Sequence, residues 1–172
     1  MGKQAGSLRH SRRGLTLMEV MVSVTLVTIV VLAALMVRYY AVKHAVRADA
    51  YETAARIGQL FLEGWRSTEW DTYEPYSILS TQVQMTGAGT GGTGPDVTAD
   101  GFTAYKSPAG VLYYDVVQRN RHYHVALGYQ IKNADPSGYT EYVIHVSVGF
   151  LNNYGPWGGT GPVNYVKLTS LR

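Results

Sequence analysis

The chain has 172 residues, which suffices for one ordinary domain and hardly for two. Hydrophobic residues make up 46% of it, charged residues make up only 16%, and it contains no cysteine. This composition excludes intrinsic disorder, a collagen or coiled-coil rod, a polytopic membrane protein, a disulfide scaffold and a thiolate metal site.

The net charge of +3 comes from a short N-terminal arm. Residues 1–14 contain no acidic residue and four basic ones, Lys3, Arg9, Arg12 and Arg13. A nucleic-acid-binding domain carries its basic residues on a folded face, interleaved with aromatic side chains, and the sequence has no such face. We therefore predict no nucleic-acid partner.

Residues 15–37 form a continuous apolar segment, LTLMEVMVSVTLVTIVVLAALMV, in which Glu19 is the one charged residue. As an α-helix this segment spans about 34 Å, enough to cross the hydrocarbon core of a bilayer. The basic arm before it favours a cytoplasmic N-terminus. A secretory signal peptide has a shorter apolar stretch, so we predict a transmembrane helix. A simple anchor has no use for Glu19, because an ionised carboxylate costs about 2.5–3.5 kcal/mol at the centre of such a helix and less near the interface.

The segment RRGLTLMEV at residues 12–20 resembles the cleavage-and-methylation signature of type IV prepilins and type II secretion pseudopilins. That signature is a short basic leader ending in glycine, followed by an apolar residue, threonine, two apolar residues and glutamate at the start of a long apolar helix. The resemblance covers residues 9–40 and includes the leader residues Arg12 and Arg13.

This resemblance implies processing by a membrane-embedded prepilin peptidase. The enzyme would cut between Gly14 and Leu15 and would methylate the new amino group of Leu15. The resemblance also implies a subunit-assembly role for Glu19, whose carboxylate would pair with the terminal amine of a neighbouring subunit. The implied partners are other pilin or pseudopilin subunits, the prepilin peptidase, an inner-membrane assembly platform and membrane lipid.

Helical periodicity continues beyond the apolar segment, over residues 38–66. Apolar residues spaced by three or four positions form a stripe of Val42, Val46, Ala50, Ala54, Ile57, Phe61 and Trp65. Most charged residues lie elsewhere on the helix, so this half is predicted to be amphipathic and to cover a core. Gly58 and Gly64 weaken the last turns, and the helix is expected to end between Gly64 and Trp70.

The second half of the chain has the period-two pattern of β-strands. Residues 123–131 and 142–150 predict two half-buried strands, and a turn at residues 133–138 predicts that they form an antiparallel hairpin. Residues 111–117 and 163–169 predict two weaker strands. A sheet of about four antiparallel strands, with its apolar face covered by the helix, gives an α+β fold. The pilin resemblance implies the same arrangement.

Two glycine-rich stretches, residues 86–95 and 152–162, are predicted to be surface loops. The first contains GTGGTG but lacks the lysine and hydroxyl residue that end a phosphate-binding loop, so we predict no nucleotide site. In the second, Tyr154 and Trp157 are candidates for subunit or ligand contacts and equally for packing against the sheet edge.

His122 and His124 lie two positions apart on a predicted strand and therefore share a face. A metal site would need a further ligand, for which Asp115 and Glu141 are candidates, and we expect a solvated face instead. His145 is isolated in the sequence. No catalytic arrangement is identified, so we predict no enzyme activity, no cofactor and no metal.

The chain is thus predicted to consist of a cleaved leader (1–14), a transmembrane and assembly helix (15–37), an amphipathic continuation (38–66) and a β-rich domain (67–172). The resemblance implies a minor pilin or pseudopilin of a type IV pilus or type II secretion-like filament. Before assembly the chain would lie in the bacterial inner membrane, with a cytoplasmic N-terminus and a periplasmic body. The alternative is a single-pass membrane-anchored periplasmic binding or sensor module. The sequence does not distinguish a pilus from a secretion or DNA-uptake system.

Overall fold

The structure is a computed structural model that describes residues 16–69, 72–89, 94–134, 140–151 and 163–172. These residues form a long helix followed by an antiparallel sheet, which confirms the α+β fold. The chain divides into two compact units, one ending at His44 and the other beginning at Ala45.

Helix α1, Leu17–Ser67, is continuous through both units. Its end at Ser67 lies within the predicted interval. In the first unit every described residue is exposed. In the second unit the buried stripe begins at Ala50, so Val42 and Val46 were wrongly included in it: their exposed fractions are 63% and 38%.

Among the described residues the sheet contains six strands, two more than the sequence indicated. In chain order they follow a short helix α2 (Pro75–Leu79) and are β1 (Gln84–Gly89), β2 (Thr103–Ala104), β3 (Tyr113–Gln118), β4 (Arg121–Ala134), β5 (Thr140–Leu151) and β6 (Val163–Leu171). All neighbours are antiparallel, in the order β1-β3-β4-β5-β6. Strand β2 pairs with β4 at Gly128 and Tyr129, beyond the point where β3 ends.

The predicted hairpin of β4 and β5 is confirmed, with Tyr123 opposite Phe150 and Ile131 opposite Tyr142. The predicted turn begins too early, because Asn133 and Ala134 still belong to β4. The two weaker strands are also confirmed, as β3 and β6.

The prediction of a surface loop at residues 86–95 is wrong for its first four residues. They lie in β1, an edge strand with a bulge between Met85 and Gly87. Glycine weakens a strand by itself, so pairing with β3 overrides the local preference here. Residues 90–93 and the whole second glycine-rich stretch, with Tyr154 and Trp157, lie outside the described residues.

The core lies between the C-terminal half of α1 and one face of the sheet. Aromatic side chains dominate it, with the Phe61 and Tyr114 rings 5.7 Å apart, and the exposed Tyr51 ring lies 5.0 Å from the buried ring of Phe150 at its edge. The other core residues include Ala54, Ile57, Trp65, Tyr73, Tyr105, Val116, Tyr123, Val125, Leu127, Ile144, Val146 and Val148.

The opposite face of the sheet is covered as well. Residues 94–105, here called the strap, run across it and contribute the buried residue Val97 and strand β2. A Cβ atom added to Gly128 would lie 2.9 Å from the Cβ of Phe102 and 3.1 Å from that of Val97. The strap therefore packs directly on the backbone of β4, and the central strands are buried on both faces.

The end of α1 is held by the last residue of the chain. Arg172 donates hydrogen bonds to the carbonyl oxygens of Trp65, at 2.7 Å, and Thr68. Its own backbone N–H and C=O pair with those of Tyr142, both at 2.8 Å. A cation at this position also interacts favourably with the helix dipole. Arg172 thus joins the helix terminus to the sheet.

Gly64 is required by the packing of Tyr73 rather than by the helix. A Cβ atom at Gly64 would lie 2.8 Å from the Tyr73 hydroxyl oxygen. That hydroxyl donates to the Phe61 carbonyl oxygen at 3.0 Å, and the Tyr73 ring stacks on Trp65. The ring is therefore fixed from two sides and cannot move away from an added methyl group.

We predict that Gly64→Ala destabilises the protein, although alanine normally stabilises a helix by about 1 kcal/mol relative to glycine. Overpacking against Tyr73 should cost about 1–3 kcal/mol. In a Tyr73→Phe background the same substitution should cost at least about 0.5 kcal/mol less, since the obstructing oxygen is gone. Urea unfolding followed by tryptophan fluorescence measures all four variants. Stabilisation of the wild-type protein by Gly64→Ala would contradict this packing account.

Candidate functional site

The first turn of α1 is closed by a side-chain cap. The hydroxyl oxygen of Thr16 accepts a hydrogen bond from the backbone N–H of Glu19 at 3.3 Å, and the Thr16 carbonyl accepts from Val20 at 3.2 Å. Threonine before the first helical residue and glutamate three positions later are the residues of a capping box. The local sequence therefore places the helix start at Leu17 and Glu19 in the first turn.

The carboxylate of Glu19 is available to a partner outside the chain. The residue is exposed, and within the described part of the chain its carboxylate has no hydrogen-bond or ion-pair partner. Its position in the first turn is favourable, because the helix N-terminus carries partial positive charge. The cap occupies the backbone N–H of Glu19 and leaves the carboxylate oxygens free.

The segment that follows Glu19 is suited to an apolar solvent. It belongs to α1, the one helix among the described residues that is long and apolar enough to cross a membrane. The most apolar 18 residues of this helix have a mean hydropathy of 2.8, and none of them is buried. The hydroxyl groups of Thr25 and Thr28 donate to the carbonyl oxygens of Met21 and Val24, at 2.9 and 2.8 Å. These polar groups are thus satisfied within the helix, as lipid requires.

The other predicted site residues, Arg12, Arg13, Gly14 and Leu15, lie outside the described residues. Their roles in leader recognition, cleavage and methylation remain predictions.

The structure also brings together groups on the strap-covered face of the sheet. Asp115 lies between two histidines: its carboxylate oxygens are 3.0 and 3.1 Å from His122 Nδ1 and 3.5 Å from His124 Nε2. The expected solvated face is therefore wrong for His124, which is only 6% exposed and stacks on the Tyr113 ring. Stacking of the neighbouring strand's Tyr113 on His124 left no periodic signal in the sequence.

Only some of the candidate metal ligands come together around Asp115. Within the described ranges, no set of three or more histidine and carboxylate side chains is arranged to hold a metal ion. Of the two candidate carboxylates, Asp115 lies beside the histidines, whereas Glu141 accepts a hydrogen bond from Asn133 at 3.0 Å. The His122–Asp115–His124 arrangement is an electrostatic cluster within the fold.

Comparison with known proteins identifies the N-terminal segment. Residues 9–35 match the family described as the prokaryotic N-terminal methylation motif. Comparisons with curated proteins and with solved structures found no match. The chain therefore carries the type IV prepilin-like signal, and the resemblance inferred from residues 12–20 is confirmed. Together, this signal and the exposed apolar helix mark the chain as membrane-anchored.

Burial of His124 predicts a pH-dependent stability. Its pKa is lowered by burial; the Asp115 charge opposes the shift and His122 adds to it. In the unfolded chain the imidazole has its ordinary pKa near 6.5. The unfolded state therefore takes up the proton first, and the contribution of His124 to stability is full above about pH 6.5 and is lost as the pH falls below it.

Urea unfolding at pH 7.5, 6.5 and 5.5 tests this prediction. The free energy of unfolding should fall with decreasing pH, by at most about 1.4 kcal/mol per pH unit for each such histidine. His124→Gln should reduce this slope, and His44→Gln, at an exposed position of α1, should leave it unchanged. An unaltered slope in His124→Gln would show that this residue does not titrate as proposed.

Proposed function

We propose that this chain is a subunit of an extracellular or envelope-spanning filament, either a minor pilin of a type IV pilus or a pseudopilin of a type II secretion-like system. The observation that carries the proposal is the match of residues 9–35 to the methylation motif at the head of an exposed apolar helix. The role is structural, without catalysis or cofactor.

Processing is the first step in this proposal. Prepilin peptidase cuts between Gly14 and Leu15 on the cytoplasmic side of the inner membrane and methylates the amine of Leu15. Glycine before the cut suits a narrow protease site, because it has no Cβ atom. Removal of the basic leader, including Arg12 and Arg13, leaves a single cationic amine at the start of the apolar helix.

Assembly is the second step. The new amine and the Glu19 carboxylate are both costly in lipid, and each offsets the cost of the other when they pair between subunits. The exposed Glu19 carboxylate, with no partner among the described residues, supports this role. The inner-membrane assembly platform would draw the processed subunit out of the lipid, the body of the protein lying on the periplasmic side.

We predict that Glu19→Gln separates assembly from the earlier steps. Leader cleavage and membrane insertion should be retained, since removal of a charge from an apolar helix lowers the cost of insertion. Incorporation into sheared filaments should fall at least about ten-fold, because an unpaired buried charge costs more than about 1.4 kcal/mol. The readouts are leader removal on immunoblots, membrane fractionation and the amount of subunit in sheared filaments.

Glu52→Gln is the matched control, because Glu52 is an exposed carboxylate of the same helix in the second unit. It should assemble like the wild-type protein. Normal incorporation of Glu19→Gln into filaments would contradict the pairing mechanism. Absence of the wild-type chain from any filament, together with stable membrane anchoring, would favour the binding or sensor module.

A further inference from the structure

The strap is held on the sheet by a cluster around Asp100. One carboxylate oxygen of Asp100 accepts a hydrogen bond from Lys167 Nζ on β6 at 2.6 Å. The other oxygen lies 3.5 Å from Nε2 of His145 on β5. Next to it, the ring of Phe102 stacks on the His145 imidazole at 4.3 Å, with the planes inclined by only 10°. The strap and His145 therefore share both a ring contact and a charged contact.

His145 is one of the most buried polar residues of the described chain, at 3% exposure. Its Nδ1 lies 3.1 Å from the hydroxyl oxygen of Thr169. Within the described residues, neither its Nε2 nor the facing oxygen of Asp100 makes a well-formed hydrogen bond. A buried imidazole in such a site is costly to charge, because the new charge would be desolvated without strong compensation.

The charges facing His145 come from two elements. The strap contributes Asp100, and β6 contributes Lys167, whose ammonium already neutralises that carboxylate. Strand β4 contributes only Gly128, directly opposite His145 in the sheet. A second strap carboxylate, Asp96, is engaged by the backbone N–H and the hydroxyl of Thr98, at 2.9 and 2.6 Å. A proton on His145 would therefore leave a net positive charge beneath the strap.

We propose that the strap is an acid-released cover of the outer sheet face, and that protonation of His145 releases it. Release separates β2 from Gly128 and Tyr129 and moves Phe102 off the imidazole, so that water reaches the charged ring. The core between α1 and the other face of the sheet stays in place, because Tyr105, the last strap residue, remains packed on Trp65 and hydrogen-bonded to Leu127 while residues 94–104 move away.

The pH dependence of strap release is set by the difference in the pKa of His145 between the covered and the released states. With the strap in place the pKa of His145 is lowered, by burial above all; Lys167 contributes to the lowering and Asp100 opposes it. With the strap released the imidazole is solvated and has its ordinary pKa near 6.5. Acid therefore favours release as the pH falls below about 6.5. The Thr98 hydrogen bonds lower the pKa of Asp96, which therefore stays ionised across this range.

Hydrogen–deuterium exchange of the full-length protein in detergent, at pH 7.5 and pH 5.0, tests the proposal. Rates are corrected for the intrinsic pH dependence of amide exchange. Protection of residues 94–105 should fall on acidification by about 3- to 30-fold, the upper value being that of one group with a pKa of 6.5 in the released state. Protection of core strand β5 should fall less.

Two histidine variants identify the group responsible. His145→Gln should abolish the pH response of the strap, because glutamine does not titrate. His122→Gln, at a half-exposed position on the same face, should retain it. A strap whose protection is independent of pH in the wild-type protein, or a response that persists undiminished in His145→Gln, would overturn the proposal.

Two further variants, Lys167→Met and Asp100→Asn, separate the electrostatic mechanism from general weakening of the strap. Each removes the ion pair, so each should lower the protection of the strap against amide exchange at pH 7.5. Lys167→Met should nevertheless shrink the pH response, because Asp100 is then left to stabilise charged His145. Asp100→Asn should enlarge it, because the compensating carboxylate is lost. Changes of the pH response in the same direction would contradict the mechanism.

Discussion

An exposed apolar helix that carries one carboxylate in its first turn is the constraint on which the rest of the account depends. Residues 17–42 have no apolar partner within the described first unit, so they must lie in lipid or against other apolar helices. The Thr16 cap fixes the helix start, and thereby holds Glu19 one turn from the end of the segment. In the mature chain that we propose, the terminal amine of Leu15 and the Glu19 carboxylate each need a partner of opposite charge once water is excluded.

The second unit is organised by packing on both faces of one sheet. On one face, α1 approaches β5 and β6 closely at Gly58, where an added Cβ atom would lie 2.7 Å from the Leu168 side chain and 3.3 Å from that of Val148. On the other face the strap lies on Gly128, and its charged and aromatic contacts gather around His145. The two faces differ in chemistry: apolar and aromatic side chains dominate the first, and the second contains buried histidines whose protonation is opposed by burial. The buried groups that we expect to respond to acid therefore lie on the second face.

The sequence predicts the elements whose signals are local and periodic. The helix of α1, the β4–β5 hairpin and the prepilin-type motif all follow from spacing within short windows. Strand β1 was missed because glycines at positions 87 and 89 remove the alternation, and its pairing with β3 supplies the stability instead. Burial of His145 was missed because the strap is distant in sequence from the strand that it covers, and burial of His124 was missed because its ring stacks on Tyr113 of the neighbouring strand. Arg172 likewise contacts Trp65 and Thr68 only through the fold.

The intact mass of the mature protein, purified from a host that contains an active prepilin peptidase, tests the central claim most directly. The account predicts a chain that begins at Leu15, having lost residues 1–14, with the additional mass of one methyl group on its terminal amine. Gly14→Val should retain the leader, because a β-branched side chain does not fit a site shaped for glycine. A wild-type protein that keeps residues 1–14 beside an active peptidase would contradict the account.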